Sequence, residues 1–194
     1  MKKLSDLEMA ILGIVWKRAP CTAYVVAKEF SSSPSSHWRG SAGAVYPAMT
    51  RLLGLGLLKR QPRESTGQRR SLYTLSSPGK LQLRRWLRPP LPEAAASITF
   101  DPLRTRAFFL GVLAEAEQVA FVQAAQQRLE AELPRLEAEC VRYREAGDWF
   151  SAQAQRGAVL VARARLAWMR QLQAALARRG AERDRSTTSA SRKG

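Results

Sequence analysis

One histidine, His37, and two cysteines, Cys21 and Cys140, are the chain's whole stock of imidazole and thiol. A single imidazole with no second histidine or cysteine pair beside it makes no tetrahedral zinc site, and His37 has no partner in a triad or general-base pattern. Neither a glycine-rich phosphate loop nor a paired-carboxylate constellation is present. The two cysteines are too few for a disulfide framework and are expected to be reduced core residues. No catalytic residue, metal or cofactor is therefore expected. What the chain does offer is cation, phenol and amide. Tyr46, Thr50 and Arg51 lie within six positions, and Arg60, Arg63, Gln68, Arg69, Arg70 and Tyr73 follow in one stretch. Guanidinium groups fork onto phosphate, and side chains of these types hydrogen-bond to base edges. That chemistry calls for a polyanion.

Two elements must position these groups. In residues 41–58, Val45, Met49, Leu52 and Leu53 recur at helical spacing, so a short helix begins after Ser41 or Gly43 and stops at Gly54 or Gly56. Tyr46, Thr50 and Arg51 would face outward from it, as on a recognition helix. Pro47 lacks an N–H, so the helix starts nearer Gly43 or bends in its first turn. Its start, Ser41-Ala42-Gly43, has small side chains and N–H groups suited to a phosphate, although an ordinary helix cap would look the same. Residues 57–61 and 69–75 read as two strands around a turn at Pro62–Gly67. Helix followed by basic hairpin is the pattern of a winged helix. A hairpin placed there reaches a neighbouring groove or its phosphates, whereas a solvated edge that blocks aggregation would carry similar charge.

The rest of the first segment supplies a scaffold. Ser5-Asp6-Leu7-Glu8 is a capping box opening a helix with Leu7, Ala10, Ile11, Ile14 and Val15 on one stripe, ended by Ala19-Pro20. Thr22 caps a second helix whose Val26 and Phe30 share a face, with Tyr24 packing beneath it. Residues 31–40 read as loop, in which Trp38 plugs a gap at the domain edge. Ser76 or Ser77 caps a helix carrying Leu81, Leu83, Trp86 and Leu87, which ends at Pro89-Pro90.

Charge supports the polyanion. The formal net charge is +16, of which residues 1–88, with 16 Lys+Arg against 4 Asp+Glu, hold +12. No apolar run reaches the length of a membrane span and no signal-peptide core opens the chain, so a cytoplasmic protein without a membrane partner is expected.

These residues resemble the PadR family of bacterial transcriptional regulators. The likeness lies in Ser41-x-Gly43-x-Val45-Tyr46-Pro47-Ala48-Met49-x-Arg51-Leu52, then Gly56-Leu57, then Gly67-x-x-Arg70-x-x-Tyr73-x-Leu75-Ser76-x-x-Gly79, within residues 4 to 88. Ala23 stands where the family has a glycine, and Leu72 where it has the first of two wing aromatics. The resemblance implies a dimeric repressor of double-stranded DNA, with Tyr46 and Arg51 in the helix and Arg70 and Tyr73 in the wing as contacts or supports. A small-molecule effector is common among such regulators.

Residues 89–102 are proline-rich linker, and the pattern beyond is helical to about 180. Leu103, Ala107, Leu110 and Leu113 give a short helix. Val122, Ala125, Leu129, Leu133, Leu136, Cys140 and Tyr143 give a long one kinked at Pro134, and Gly147 breaks the pattern. Leu160, Ala164, Trp168, Leu172 and Leu176 stripe the last helix. Such stripes need a partner, so Leu110, Leu129, Leu136, Leu160 and Leu172 are expected at a homodimer interface, a monomeric bundle being the alternative. Phe108, Phe109, Trp149, Phe150 and Trp168 are candidates for an effector pocket or for core. The expected organisation is a mostly α fold with a small β-hairpin: winged helix-turn-helix 1–88, linker 89–102, helical dimerisation domain 103–180 and a disordered tail 181–194. The competing function is a winged-helix module for an acidic protein partner.

Overall fold

The computed structural model describes residues 4–33, 35–63, 70–97 and 100–191. They form two units, divided between Ser97 and Ile98. The first unit holds α1 (Asp6–Arg18), α2 (Ala23–Ser31), α3 (Ser36–Gly40), α4 (Val45–Gly54), β1 (Leu58–Arg63), β2 (Arg70–Leu75), α5 (Ser77–Leu87) and α6 (Glu93–Ala96). The capping box is formed: Glu8 N–H donates to Ser5 Oγ at 3.3 Å and Ser5 N–H to the Glu8 carboxylate at 2.8 Å. The α1 face that enters the core is Met9, Ile11, Leu12 and Val15, with Leu7, Ala10 and Ile14 at its margin. Thr22 caps α2, and Val26 and Phe30 are buried as their spacing predicts. Tyr24 does not pack beneath that helix; it is 65% exposed. Two residues from Val26, it lies about 200° round the helix from the core face. The expected loop 31–40 contains α3, whose Trp38 packs edge-on against Phe30 at 5.5 Å.

A 3-10 turn at Ala42–Ala44 leads into α4, which puts Pro47 in the first helical turn, where an absent N–H costs nothing. Val45, Met49 and Leu52 are buried. The end of α4 follows from Gly56. With φ +70 it lets its own N–H reach Leu53 O and the Leu57 N–H reach Leu52 O. The chain then turns into β1, paired antiparallel with β2 from Leu58↔Leu75 to Arg63↔Arg70. β1 runs past the predicted boundary through Pro62, which an edge strand tolerates. β2 is the inner strand, since Cys21 bridges its far side: Tyr73 N–H donates to Cys21 O at 2.7 Å and Cys21 N–H to Tyr73 O at 3.2 Å. Ser76 caps α5 and locks it to the α4 turn, its hydroxyl donating to Gly56 O at 2.6 Å and its N–H to Leu57 O at 3.1 Å. Of the α5 stripe only Leu83 is buried; Leu81, Trp86 and Leu87 are exposed.

The second unit comprises α7 (Pro102–Ala107), a 3-10 turn at Leu110–Val112, α8 (Glu115–Glu145) and α9 (Trp149–Ser191). α8 runs unbroken through Pro134. Gly147, φ +70, turns it into α9 by the same two hydrogen bonds as at Gly56, here Gly147 N–H to Arg144 O and Asp148 N–H to Tyr143 O, each 3.0 Å. The two helices lie antiparallel around Val122, Ala125, Leu129, Leu166 and Met169, tied by Gln126–Gln173 (2.9 Å), Glu130–Arg170 (2.9 Å) and Glu137–Arg163 (2.6 Å). The predicted α8 stripe is thus the packed one. That of α9 holds in its second half, where Trp168, Leu172 and Leu176 pack on the core, and is displaced in its first, where Ala152, Gln155, Val159, Leu166 and Met169 are covered while Leu160 and Ala164 face out. α9 carries two apolar stripes, and periodicity alone does not say which one meets the neighbour. α9 also continues past 180 to Ser191, where a disordered tail was expected; alanine, arginine and glutamate at 181–183 propagate a helix already nucleated. Asp101 caps α7 and pairs with Arg165 at 2.8 Å.

Candidate nucleic-acid interface

With Val45, Met49 and Leu52 held in the core, α4 turns Tyr46 and Thr50 outward; Tyr46 is 51% exposed. The Thr50 hydroxyl donates back to Tyr46 O at 3.2 Å, leaving its methyl and oxygen lone pairs outward. Arg51 departs from expectation. Its guanidinium turns inward and pairs with Glu8 of α1, a residue only 6% exposed. The Glu8 carboxylate thereby closes its own helix cap and grips α4 at once. Burial works against its charge, but the Ser5 N–H, the Arg51 guanidinium and the Ser5 hydroxyl outweigh that and lower its pKa. No sequence signal joined positions 8 and 51; the one cue was that a capping-box carboxylate retains acceptor capacity.

Of Ser41, Ala42 and Gly43, which open the 3-10 turn before α4, Ser41 is engaged by the preceding helix. Ser41 is the C-cap of α3, its N–H donating to Trp38 O at 3.0 Å and its hydroxyl to His37 O at 3.0 Å. In the wing, Lys59 and Arg60 are exposed on β1, and Arg63 faces Arg70 in the last described pair of the hairpin. Gln68 and Arg69 lie outside the described residues. Tyr73 is half-buried against the core and shares a surface cleft of about 520 Å³ with Thr22, Ala23, Tyr24, Tyr46 and Ser71. The cleft brings the first turn of α2, the first turn of α4 and β2 together, with three phenols around one recess. Sequence reasoning placed Tyr24 in the packing and missed this grouping.

The remaining candidates lie in the second unit. Phe108, Phe109, Trp149 and Phe150 are all exposed, so none is core in a single chain, and Trp168 is half-buried against the α8/α9 core. Trp149 and Phe150 meet edge to face at 4.9 Å. Phe108 and Phe109 precede the 31-residue α8 and Trp149 follows it, about 45 Å away along the helix, so one small-molecule pocket in one chain cannot hold both pairs. Leu110, Leu129 and Leu136 are buried within one chain and Leu172 packs on its core, whereas Leu160 is 56% exposed. Among the described residues there is no cluster of three His, Cys, Asp or Glu able to hold a metal, and no helix long and apolar enough to cross a membrane.

Comparison with known proteins agrees with this architecture. The transcriptional regulator PadR-like family model matches residues 11–85. The negative transcriptional regulator PadR of Bacillus subtilis (strain 168) is 25% identical over 134 residues, 68% of this chain and 71% of its own length. The crystal structure of B. subtilis PadR in complex with operator DNA superposes with a TM-score of 0.76 at 20% identity, covering 89% of this chain and 99% of that one. The same protein in complex with p-coumaric acid gives 0.69 at 19% identity, covering 90% and 98%. The family is one of transcriptional regulators rather than enzymes. Over residues 11–85, from within α1 to within α5, the winged helix of this chain is similar to the PadR-like family of transcriptional regulators.

Proposed function

We propose that the chain is a transcriptional repressor that binds operator DNA as a homodimer in the cytoplasm and is released by a small molecule. The observation that carries the reading is the outward Tyr46–Thr50 face of α4 beside a basic wing, in a fold shared with a PadR solved on operator DNA. Tyr46 and Thr50 read base edges in the major groove, while Arg63, Gln68, Arg69 and Arg70 meet phosphates or the adjacent minor groove. Tyr73 supports the wing, and Arg51 holds the helix in place of touching DNA. Residues 1–88 act as the DNA-binding domain and 103–180 as the dimerisation domain, joined by 89–102. Dimerisation is supported by Trp149, Phe150, Leu160 and Val161 of α9, exposed apolar side chains that one chain leaves uncovered. Of the leucines expected at the interface, Leu160 fits it best. Release by a small molecule is supported by the p-coumaric acid complex of B. subtilis PadR.

The test is binding of the purified protein to its own upstream DNA and to random duplex at physiological salt. Preference for the upstream sequence is expected; equal affinity would end the repressor reading.

A further inference from the structure

The cleft that groups three phenols lies on the winged helix, yet Tyr24, which forms one wall of it, touches nothing in the proposed complex. The first turn of α2 supplies Thr22, Ala23 and Tyr24, the first turn of α4 supplies Tyr46, and β2 supplies Ser71 and Tyr73, around about 520 Å³. Among these lining side chains none carries a charge, and all but Ala23 carry a hydroxyl. The cation comes from β1. Arg60 stands opposite Tyr73 in the antiparallel register, and directly opposite residues project to the same side of a hairpin, so the exposed Arg60 lies on the cleft side. One guanidinium beside several hydroxyl donors matches a group with a single negative charge and only acceptor atoms. A phosphodiester is such a group.

Position points to the phosphodiester of a duplex. The α4 face with Tyr46 and Thr50 is the one that would enter a major groove, and the cleft lies to one side of it, toward the wing. The strand bordering the groove has to pass there, with its sugars and phosphates outermost and its bases turned away. We propose that the cleft seats one sugar-phosphate unit of the bound strand: the Tyr24 hydroxyl donates to a phosphate oxygen, Arg60 holds the charge, and Tyr73, half-buried against the core, is the floor. The site rests on the DNA-binding reading and adds Tyr24 and Arg60 to it. The two contacts differ in one measurable respect. A guanidinium at a phosphate releases a counterion, and a neutral phenol releases none.

The full-length protein, Tyr24→Phe, Arg60→Gln and the double variant are titrated onto the upstream DNA and onto random duplex across a salt series. Tyr24→Phe keeps an aromatic ring at a position that is 65% exposed, so its helical circular dichroism should match the parent. It is expected to weaken binding to both duplexes about fivefold with the salt slope unchanged, the loss of one hydrogen bond. Arg60→Gln should weaken both about tenfold and lower the slope by about 0.9. Because both side chains act on one phosphate, the double variant should lose less than the two losses multiplied together. Tyr24→Phe at parental affinity would overturn the seat and leave the cleft to another occupant. So would a loss confined to the upstream DNA, which makes the phenol a base reader, a lowered slope in Tyr24→Phe, which means a displaced wing, or losses that multiply, which put the two residues on separate phosphates. A parent protein with equal affinity for both duplexes would end the repressor reading alone. The losses in the variants would still support the seat, since a phosphate contact is blind to sequence. A parent that binds neither duplex overturns both.

Discussion

The pairing of Arg51 with Glu8 leads to the sharpest prediction, because a recognition-helix arginine that touches DNA and one that anchors the helix behave differently. Arg51→Met keeps the aliphatic stem and removes the cation. It leaves a carboxylate that is 6% exposed with only the Ser5 N–H (2.8 Å) and Ser5 hydroxyl (3.1 Å). Losing a hydrogen bond to a charged group costs about 1.5–3 kcal/mol. The Arg51 side chain is 36% exposed, so solvent reaches the vacated position and the lower half of that range applies. Glu8→Gln keeps the acceptor for Ser5 and frees a solvated arginine, for about 1 kcal/mol. The double variant should lose less than the two together, with a coupling of about 1 kcal/mol. Amide exchange of α1 and α4 in the full-length chain, alongside urea unfolding, measures these costs. Both single variants should weaken operator binding without changing its salt slope. A coupling near zero, or an Arg51→Met slope reduced by about 0.9 with Glu8→Gln binding normally, would refute the anchoring role and return Arg51 to the phosphates. The pH dependence follows the same pair. Because the folded pKa of Glu8 is lowered, its stabilisation is complete above the ordinary value of 4.5 and is lost as pH falls below it. In Glu8→Gln that contribution is absent, so urea midpoints between pH 7 and pH 3 should fall less steeply than in the parent protein.

Gly79→Ala should destabilise the winged helix by about 1–3 kcal/mol despite the usual helix preference for alanine, because a Cβ at 79 collides with the Leu57 carbonyl oxygen that Ser76 N–H holds in place. A more stable variant by thermal melting would contradict the close packing of α5 on that turn. Leu160→Glu should raise the dimer dissociation constant at least tenfold, about 1.4 kcal/mol, while the chain retains its helicity, read by sedimentation. An unaltered dimer would place the interface elsewhere. Arg70→Ala should weaken binding to all DNA sequences alike, lowering the salt slope by about 1 and sparing the dimer. Unchanged affinity would remove the wing from the mechanism.

Local chemistry made much of this fold legible. The capping box at Ser5, the caps at Thr22 and Ser76, and the glycine stops at 56 and 147 each rest on one residue type whose backbone preference is decisive. So does the relief of the Pro47 conflict, which required only a later helix start. What escaped the sequence was direction about a helix axis. Tyr24 lies opposite the Val26–Phe30 face, where it meets β2 and α4 across a cleft and not the core, and Arg51 sits at the border of its face, the carboxylate that decides for it being 43 positions away. α9 shows the same limit on a larger scale. Its outward stripe at Leu160 and Ala164 has the spacing of a core, and only the position of α8 reveals that Val159, Leu166 and Met169 are the ones covered.

The short recognition helix also explains why so much structure surrounds two outward side chains. A 10-residue helix is marginal in isolation. Here it is held by three buried side chains, each contributing about 1.5–3 kcal/mol by burial, by the glycine turn that Ser76 clasps, and by the Arg51–Glu8 pair. Such fixing removes from DNA binding the ordering cost that a mobile helix would bear. On the proposed function, its consequence is a rigid but narrow reading head, with Tyr46 and Thr50 as the outward side chains that would read DNA. Two side chains discriminate few base pairs at about 1–3 kcal/mol each, so high specificity requires a second copy of the head at a fixed spacing. On the proposed function, the requirement for a homodimer arises from α4 as well as from the uncovered face of α9.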